Sequence, residues 1–184
     1  MAQPIIEIPE RLFQTAEFQQ FEGSWDAGAL VVGPDEYRFV RPFSWSVSVS
    51  NTGGALLVSG TVEGRAETEC ARCLEPFELD LSGEVEGYFI IPGMEAEGQE
   101  EDEEAEFDLL PEDGKLDMEP LLSAALIVDL PLQPLCDEDC QGLCPQCGKN
   151  LNDGPCGCEP PQDDVEFEEA KNPFAALKGY TFDE

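Results

Sequence analysis

The sequence lacks histidine and is poor in basic residues: nine lysine and arginine residues stand against 41 acidic ones among 184. Without histidine there is no Ser/His/Asp or Cys/His arrangement for nucleophilic catalysis and no metal site with histidine ligands. A glycine-rich phosphate-binding loop is also absent. No apolar run approaches the roughly 20 residues needed to cross a bilayer. The sequence therefore predicts a soluble protein that is not an enzyme and has no membrane-spanning segment.

The formal net charge is −32 at pH 7, and acidic residues exceed basic ones along the whole chain. Such a negative field repels nucleic-acid phosphates and attracts cationic protein surfaces at low salt. The charge therefore disfavours a stand-alone nucleic-acid-binding protein and favours a basic partner. Adaptation to a saline cytoplasm, which fits the presence of only four lysines, or simple solubility explains the charge equally well.

Eight cysteines occur in four close pairs. Zinc favours four thiolates in a tetrahedron, and two thiols at a tight turn supply two ligands with little loss of loop entropy. The pattern predicts two closed, structural Zn²⁺ sites, which would move the net charge to about −36 because ligation deprotonates the thiols. The predicted ligands are Cys70, Cys73, Cys136, Cys140, Cys144, Cys147, Cys156 and Cys158.

Two alternatives to zinc stay open from the sequence. A disulfide framework is disfavoured because 184 residues are enough for a core without covalent staples, and residues 1–4 begin neither a basic stretch nor an apolar run. We therefore expect a cytoplasmic protein with reduced thiols. A redox C-x2-C is disfavoured because nothing around Cys70 is typical of the strand-to-helix turn of a thioredoxin-like unit.

Alternating apolar and polar residues predict antiparallel β-structure. Residues 56–70 and 77–91 alternate over long stretches, so we expect a hairpin with Cys70 and Cys73 at its tip. An antiparallel sheet of about five strands is completed by shorter predicted strands at 29–32, 36–40 and 43–50.

The second half of the chain is more varied. Residues 95–108 hold nine acids and predict a disordered, solvated loop. Asp117 is placed to cap a helix over 118–129 that packs on the sheet, and Pro131 ends this helix. The predicted fold class is α+β: mainly antiparallel sheet with one packed helix and a C-terminal cysteine-rich zinc module.

Composition divides the chain into three predicted parts. Residues 1–135 form the sheet domain, residues 136–160 the zinc-binding module, and residues 161–184 an acidic tail with a short helix over 173–178. That helix either docks on the protein or serves as a short linear motif for a partner.

Sequence proximity suggests how the thiols divide between two sites. Because prolines extend segment 130–135, the pair Cys136/Cys140 can return to the hairpin tip and complete a site there. The pair Cys144/Cys147 would then share a local site with the last cysteine pair. An exchange of the Cys136/Cys140 pair with the last pair stays open.

Four blocks of the sequence resemble the YceD family of bacterial and plastid proteins. They are residues 69–77 (ECARCLEPF), 129–132 (DLPL), 142–152 (GLCPQCGKNLN) and 172–177 (NPFAAL). The resemblance runs in the same order from about residue 60 to the end of the chain. It implies a role in accumulation of large-subunit ribosomal RNA, hence in assembly of the large ribosomal subunit, and it carries over no catalytic residue.

Charge and resemblance together predict a non-enzymatic assembly factor or chaperone. Its expected partner is a basic ribosomal protein or a pre-ribosomal particle, bound through the acidic sheet face and the loop at 95–108. A structural zinc protein without a specific partner is one alternative. The other is direct RNA binding through basic residues near the zinc module, namely Arg72, Lys149, Lys171 and Lys178.

Overall fold

A computed structural model describes residues 3–94 and 108–158. In these ranges it has nine strands, one α-helix and two short 3-10 helices. Strands β1 to β9 are Ile5–Glu7, Phe18–Trp25, Ala29–Val32, Asp35–Phe39, Phe43–Asn51, Ala55–Glu69, Pro76–Ile90, Asp108–Leu109 and Lys115–Asp117. The helix α1 is Glu119–Asp129, and the 3-10 helices are Glu10–Phe13 and Leu151–Asp153. None of the described helices is long and apolar enough to span a membrane.

Strand β6 lies at the centre of a seven-stranded sheet. On one side it pairs antiparallel with β5 and, nearer its C-terminal end, with β4, and on the other side it pairs with β7 along its whole length. Strand β2 extends the sheet beyond β5, β3 extends it beyond β4, and β8 adds a short parallel pairing to β7. Strands β1 and β9 form a separate two-stranded sheet. The β6–β7 hairpin carries residues 70–75 at its tip.

The two long strands bury every second residue, as the sequence predicts. Val58, Val62 and Val85 are fully buried, and they face the main hydrophobic core. Their neighbours point to the opposite side of the sheet, which we call the open face. On β5, β6 and β7 its exposed polar residues include Ser44, Ser46, Ser59, Thr61, Glu63, Arg65, Glu67, Glu78, Asp80, Ser82, Glu84 and Glu86.

Helix α1 packs on the core side of β7, and two glycines let it approach closely. A Cβ atom at Gly83 would lie 2.6 Å from both the carbonyl carbon and the carbonyl oxygen of Ala125, and one at Gly87 would lie 3.0 Å from a leucine side chain of α1. Leu122 and Leu126 of the helix are fully buried against the core. The helix therefore covers the core and leads the chain back toward the hairpin tip.

The predicted fold class is confirmed. The long predicted strands at 56–70 and 77–91 correspond to β6 and β7, and the helix predicted over 118–129 is α1. The Oδ1 atom of Asp117 accepts the backbone N–H of Glu119 at 3.0 Å, so this side chain supports the first turn although the helix begins two residues after it.

The sheet has more strands than the sequence predicted, since β2 and β8 were missed. The apolar residues of β2 do not alternate regularly with polar ones, and Trp25 is the one buried residue of this strand. Strands β1 and β9 have three residues each and pair across a long sequence separation, and elements this short carry no periodic signal. Asp108 was predicted to end the disordered loop. It instead begins β8, where it pairs with Phe89 of β7.

Several predictions fall outside the described residues. These are the rest of the acidic loop and, in the tail, the helix over 173–178 together with Lys171 and Lys178. The division of the chain at residues 135 and 160 stays a prediction.

Candidate metal centres

The tip of the β6–β7 hairpin brings the first two thiols together. The N–H of Cys70 donates to the carbonyl of Glu75 at 2.9 Å, and the N–H of Leu74 donates to the carbonyl of Cys70 at 2.9 Å. Leu74 has a positive φ of 61°, which turns the chain directly after Cys73. Both sulfurs are buried, with Cys70 fully enclosed and Cys73 3% exposed.

The segment that follows α1 lies against this tip. The N–H of Ala71 donates to the carbonyl of Pro134 at 2.8 Å. The guanidinium of Arg72 donates to the carbonyls of Glu138 and Cys140 at 3.1 and 3.0 Å. These bonds hold the turn between the third and fourth thiols beside the hairpin.

The resulting sheet cluster consists of Cys70, Cys73, Cys136 and Cys140. Its four sulfurs lie within 4.8 Å of one another. The sulfurs of Cys70 and Cys140 are 3.8 Å apart, and those of Cys73 and Cys136 are 3.7 Å apart. Four thiolates about 2.3 Å from one zinc ion in a tetrahedron are separated by about 3.8 Å. The geometry therefore fits a single tetrahedral ion, and all eight cysteines of the chain are free of disulfides.

The loop cluster consists of Cys144, Cys147, Cys156 and Cys158. Its sulfurs also lie within 4.8 Å of one another, and Cys147 is exposed where Cys144 is buried. The N–H of Cys144 donates to the carbonyl of Lys149 and the N–H of Gly148 donates to the carbonyl of Cys144, both at 2.8 Å. Gly148 has φ 71°, a left-handed conformation that suits glycine. A tight C-P-x-C-G turn thus presents two thiols to the last pair.

Backbone N–H groups make one thiol of each cluster acidic. Burial raises the pKa of Cys70, but hydrogen bonds from the N–H groups of Cys136, Cys73 and Arg72 outweigh it and lower this pKa to about 6. In the loop cluster, the N–H groups of Cys147 and Gln146 lower the pKa of Cys144 to about 6. Both thiols are thereby prepared to bind a cation as thiolates.

The pKa values of three other thiols are shifted by neighbouring side chains. Burial and the adjacent thiols raise the pKa of Cys136 to about 12, and the side chains of Cys147 and Cys156 are the largest causes that raise the pKa of Cys158 to about 12. The side chain of Asn152 is the largest cause that lowers the pKa of Cys140. Four crowded thiols ionise together only when a cation compensates their charge, so this donor set is suited to a divalent metal ion.

The structure groups the thiols in the way that the sequence favoured, and not in the exchanged arrangement. Metal ligation by these eight residues is a proposal, developed below. Of the basic residues predicted for the RNA alternative, Arg72 lies at the sheet cluster and Lys149 at the loop cluster, where its Nζ donates to the carbonyl of Pro155 at 3.0 Å. Their role toward RNA stays a prediction.

One residue beside the clusters was missed from the sequence. Asn152 donates from Nδ2 to the sulfur of Cys140 at 3.3 Å, although it belongs to the loop that carries the other cluster. Its position in the block Lys149-Asn150-Leu151-Asn152 directly after the C-P-x-C-G turn was a signal of local order, but the sulfur that it contacts could not be read from spacing.

Comparisons with known proteins extend over most of the chain. The family described as Large ribosomal RNA subunit accumulation protein YceD matches residues 58–179, a range that includes all eight cysteines. Uncharacterized proteins of Mycobacterium bovis and Mycobacterium tuberculosis are each 34% identical to the chain over 107 residues, which is 58% of this chain and 50% of the relative. An uncharacterized protein of Mycobacterium leprae is 31% identical over 110 residues, which is 60% of this chain and 49% of the relative.

The chain thus spans about half the length of the curated relatives that it matches. No solved structure is significantly similar to it. The family match covers well over half of the chain, in a region that begins within β6 and includes the hairpin tip, α1 and both cysteine clusters. The chain therefore belongs to the YceD family of large ribosomal RNA subunit accumulation proteins.

Proposed function

We propose that this protein is a non-enzymatic, zinc-binding factor of the cytoplasm that supports accumulation of large-subunit ribosomal RNA by binding a basic ribosomal protein, free or within a pre-ribosomal particle. Family membership supports the ribosomal role. The observation that carries the choice of partner is the acidic open face of the sheet.

Zinc is proposed for both clusters because each donor set is four cysteine sulfurs within 4.8 Å of one another, and two distances in the sheet cluster match tetrahedral spacing. Four-thiolate tetrahedral sites are typical of zinc and of iron–sulfur centres, and a closed zinc site of this type is structural. In the sheet cluster the ion would join the hairpin tip to the segment after α1, because each side supplies two ligands. In the loop cluster it would fold a local turn.

The open face presents carboxylates that have no ion pair in the described part of the chain. Glu63, Glu84 and Glu86 are exposed, and they alternate with serine and threonine across neighbouring strands. Arg65 lies on the same face, but its Nε and Nη1 atoms already donate to Asp80 at 2.7 Å and to Glu78 at 3.3 Å. The net potential of this face is therefore negative.

A polar and acidic surface is suited to a cationic protein. Complementary charges steer association and reject partners of like charge, and their effect is largest at low salt. A basic ribosomal protein that is not yet bound to RNA carries such a cationic surface. Binding by the open face would shield it until RNA displaces the acidic factor.

Direct RNA binding is the second candidate, and it is favoured by the position of Arg72 and Lys149 beside the two clusters. Both side chains already donate hydrogen bonds to backbone carbonyls, Arg72 to the segment after α1 and Lys149 within its own loop. Binding of phosphate by two such residues within a strongly negative field should be weak and steeply dependent on salt.

Titrations of the full chain against purified basic ribosomal proteins and against large-subunit rRNA fragments, at moderate salt, separate these candidates. We expect protein binding at moderate salt, and a second titration at low salt should show about tenfold weaker binding when Glu84→Lys and Glu86→Lys are combined. The matched control combines Glu10→Lys and Glu112→Lys, which make the same change in charge at exposed positions outside the strands of the seven-stranded sheet.

Tight RNA binding without protein binding would overturn the proposal in favour of the second candidate. Equal weakening by both variant pairs would remove the open face as the binding surface, since only total charge would then matter. Absence of both kinds of binding would leave a structural zinc protein.

A further inference from the structure

The two clusters touch each other through one side chain. Asn152 lies on the 3-10 helix Leu151–Asp153, in the loop between the second and third thiols of the loop cluster. Its Nδ2 atom nevertheless donates to the sulfur of Cys140, a member of the sheet cluster, at 3.3 Å. The loop of one candidate site therefore supplies a hydrogen bond to a candidate ligand of the other.

The orientation of this amide is fixed from its other end. The Oδ1 atom of Asn152 accepts the backbone N–H of Gln141 at 2.8 Å, so its Nδ2 is the atom that faces the sulfur. The backbone N–H of Asn152 donates to Oδ1 of Asn150 at 3.0 Å, which closes the turn. The side-chain amide of Asn152 therefore makes a hydrogen bond at each of its two polar atoms.

The backbone around this contact also joins the two loops. The N–H of Leu151 donates to the carbonyl of Gly142 at 2.9 Å, and the N–H of Leu143 donates to the carbonyl of Arg72 at 3.2 Å. Gly142 has φ 70°, and a Cβ atom there would lie 3.1 Å from the carbonyl oxygen of Arg72. The hairpin tip, residues 141–143 and the Asn152 turn therefore form one continuous set of contacts.

We infer that the two metal sites load cooperatively, with Asn152 as the positioning residue that links them. A metal ion in the loop cluster would fix the turn that carries Asn152. The ordered amide would then donate to the Cys140 thiolate and strengthen metal binding in the sheet cluster. Linkage is reciprocal, so an ion in the sheet cluster strengthens binding in the loop cluster by the same factor.

The size of the effect follows from the kind of contact. Hydrogen bonds to metal ligands from neighbouring side chains typically change metal affinity by about 10- to 100-fold when they are removed. Asn152→Asp is the sharpest variant, because it keeps an oxygen acceptor for Gln141 and replaces only the donor that faces the sulfur. We expect it to weaken metal binding in the sheet cluster by at least tenfold.

Asn150→Asp is the matched control. It makes the same change in charge two residues away and keeps the acceptor oxygen for the N–H of Asn152. We expect it to change the sheet-cluster affinity less than twofold. Equal weakening by the two variants would overturn the inference, because the added charge would then explain the effect.

The inference rests on the proposal that both clusters bind zinc, and its test uses the full chain. Cadmium NMR gives one signal for each site, and competition with a chelator gives the affinity of each site. Cys147→Ser, which disables the loop cluster, should weaken the sheet cluster about tenfold in the native background and leave it unchanged in the Asn152→Asp background.

The outcomes are distinguishable. Two ions bound to the native chain, with a sheet-cluster affinity that Cys147→Ser does not change, would overturn the coupling and leave the zinc proposal standing. A chain that binds no metal would overturn both. A sheet-cluster signal that shifts with Asn152→Asp and not with Asn150→Asp, together with the loss of coupling in the double variant, would support the role of Asn152.

Discussion

Loss of one thiol should affect the protein very differently in the two clusters. Cys70 lies at the tip of the long hairpin, and its cluster takes two ligands from the hairpin and two from the segment after α1. Cys156 belongs to the loop cluster, whose four ligands come from residues 144–158 alone. We therefore expect Cys70→Ser to destabilise the folded sheet more than Cys156→Ser.

The magnitude follows from mass action. Zinc buffered about 1,000-fold above its dissociation constant adds about 4 kcal/mol to the free energy of unfolding when it binds only the folded state. For a chain of this size, 1 kcal/mol corresponds to about 2–4 °C in Tm, so Cys70→Ser should lower Tm by about 8–16 °C. Cys156→Ser should remove only the tenfold coupling, which is about 1.4 kcal/mol, and lower Tm by about 3–6 °C.

The chain offers its own probe for this measurement. Its two tryptophans, Trp25 and Trp45, are both buried in the sheet, so their fluorescence reports unfolding of the sheet and not of the loop. In excess chelator the native chain and both variants should unfold at the same temperature, because metal no longer distinguishes them. Equal losses of Tm in the two zinc-loaded variants, or a native Tm that a chelator does not change, would refute the reasoning.

Two further predictions concern the packing of α1 and the chemistry of the thiols. Gly83→Ala should lower the free energy of unfolding by about 2 kcal/mol in urea titrations, because its Cβ meets backbone atoms of Ala125 that have no room to rotate away. Gly87→Ala should cost less than about 1 kcal/mol because its Cβ meets only side-chain atoms, those of Leu121 and Phe89, and an equal cost would contradict this account. The metal affinity of the sheet cluster should rise by at least about a hundredfold per pH unit near pH 7, because Cys73 and Cys136 have raised pKa values and each releases a proton on binding. Metal-dependent stability is thus present at higher pH and lost on acidification. Chelator competition near pH 6.5 and pH 7.5 measures the metal affinity, and an affinity that is equal at both pH values would contradict this prediction.

The long hairpin could be predicted from the sequence because both of its strands bury one face. Val58, Val62 and Ala66 recur at even positions of β6, and each is fully buried. A period of two over 15 residues is a strong signal, and the strand bounds agree with the prediction within one residue. The first pair of thiols at the hairpin tip follows from the same pattern.

Strand β2 could not be predicted in this way. It pairs with β5 over eight residues, from Phe18 opposite Ser50 to Trp25 opposite Phe43. Phe18 is 65% exposed, so the apolar residues of this edge strand do not mark a buried face. Its place in the sheet is determined by backbone pairing with β5, which a single sequence does not encode as periodicity.

The candidate metal centres could likewise be predicted only in part from the sequence. Each cysteine pair is local, so the turns that present the thiols were visible as C-x2-C and C-P-x-C-G spacings. The bond from Asn152 to Cys140 depends instead on how the last loop folds back on the preceding turn. Twelve residues of sequence separate these two side chains, and no spacing rule relates an asparagine to a sulfur across them.

The metal sites themselves bear on the choice between a protein partner and RNA. A zinc ion with four thiolates carries a net charge of about −2, so two loaded sites would make the region around the hairpin tip more negative than the free thiols do. The bases Arg72 and Lys149 lie there and both donate to backbone carbonyls, and Arg38, which interacts electrostatically with Glu69, already pairs with Glu36. The exposed acids beside them are Glu69, Glu75, Asp137, Glu138, Asp139 and Asp153. Zinc loading would thus strengthen the fold and at the same time increase the repulsion of phosphate, which favours a cationic protein over RNA as the ligand of the intact factor.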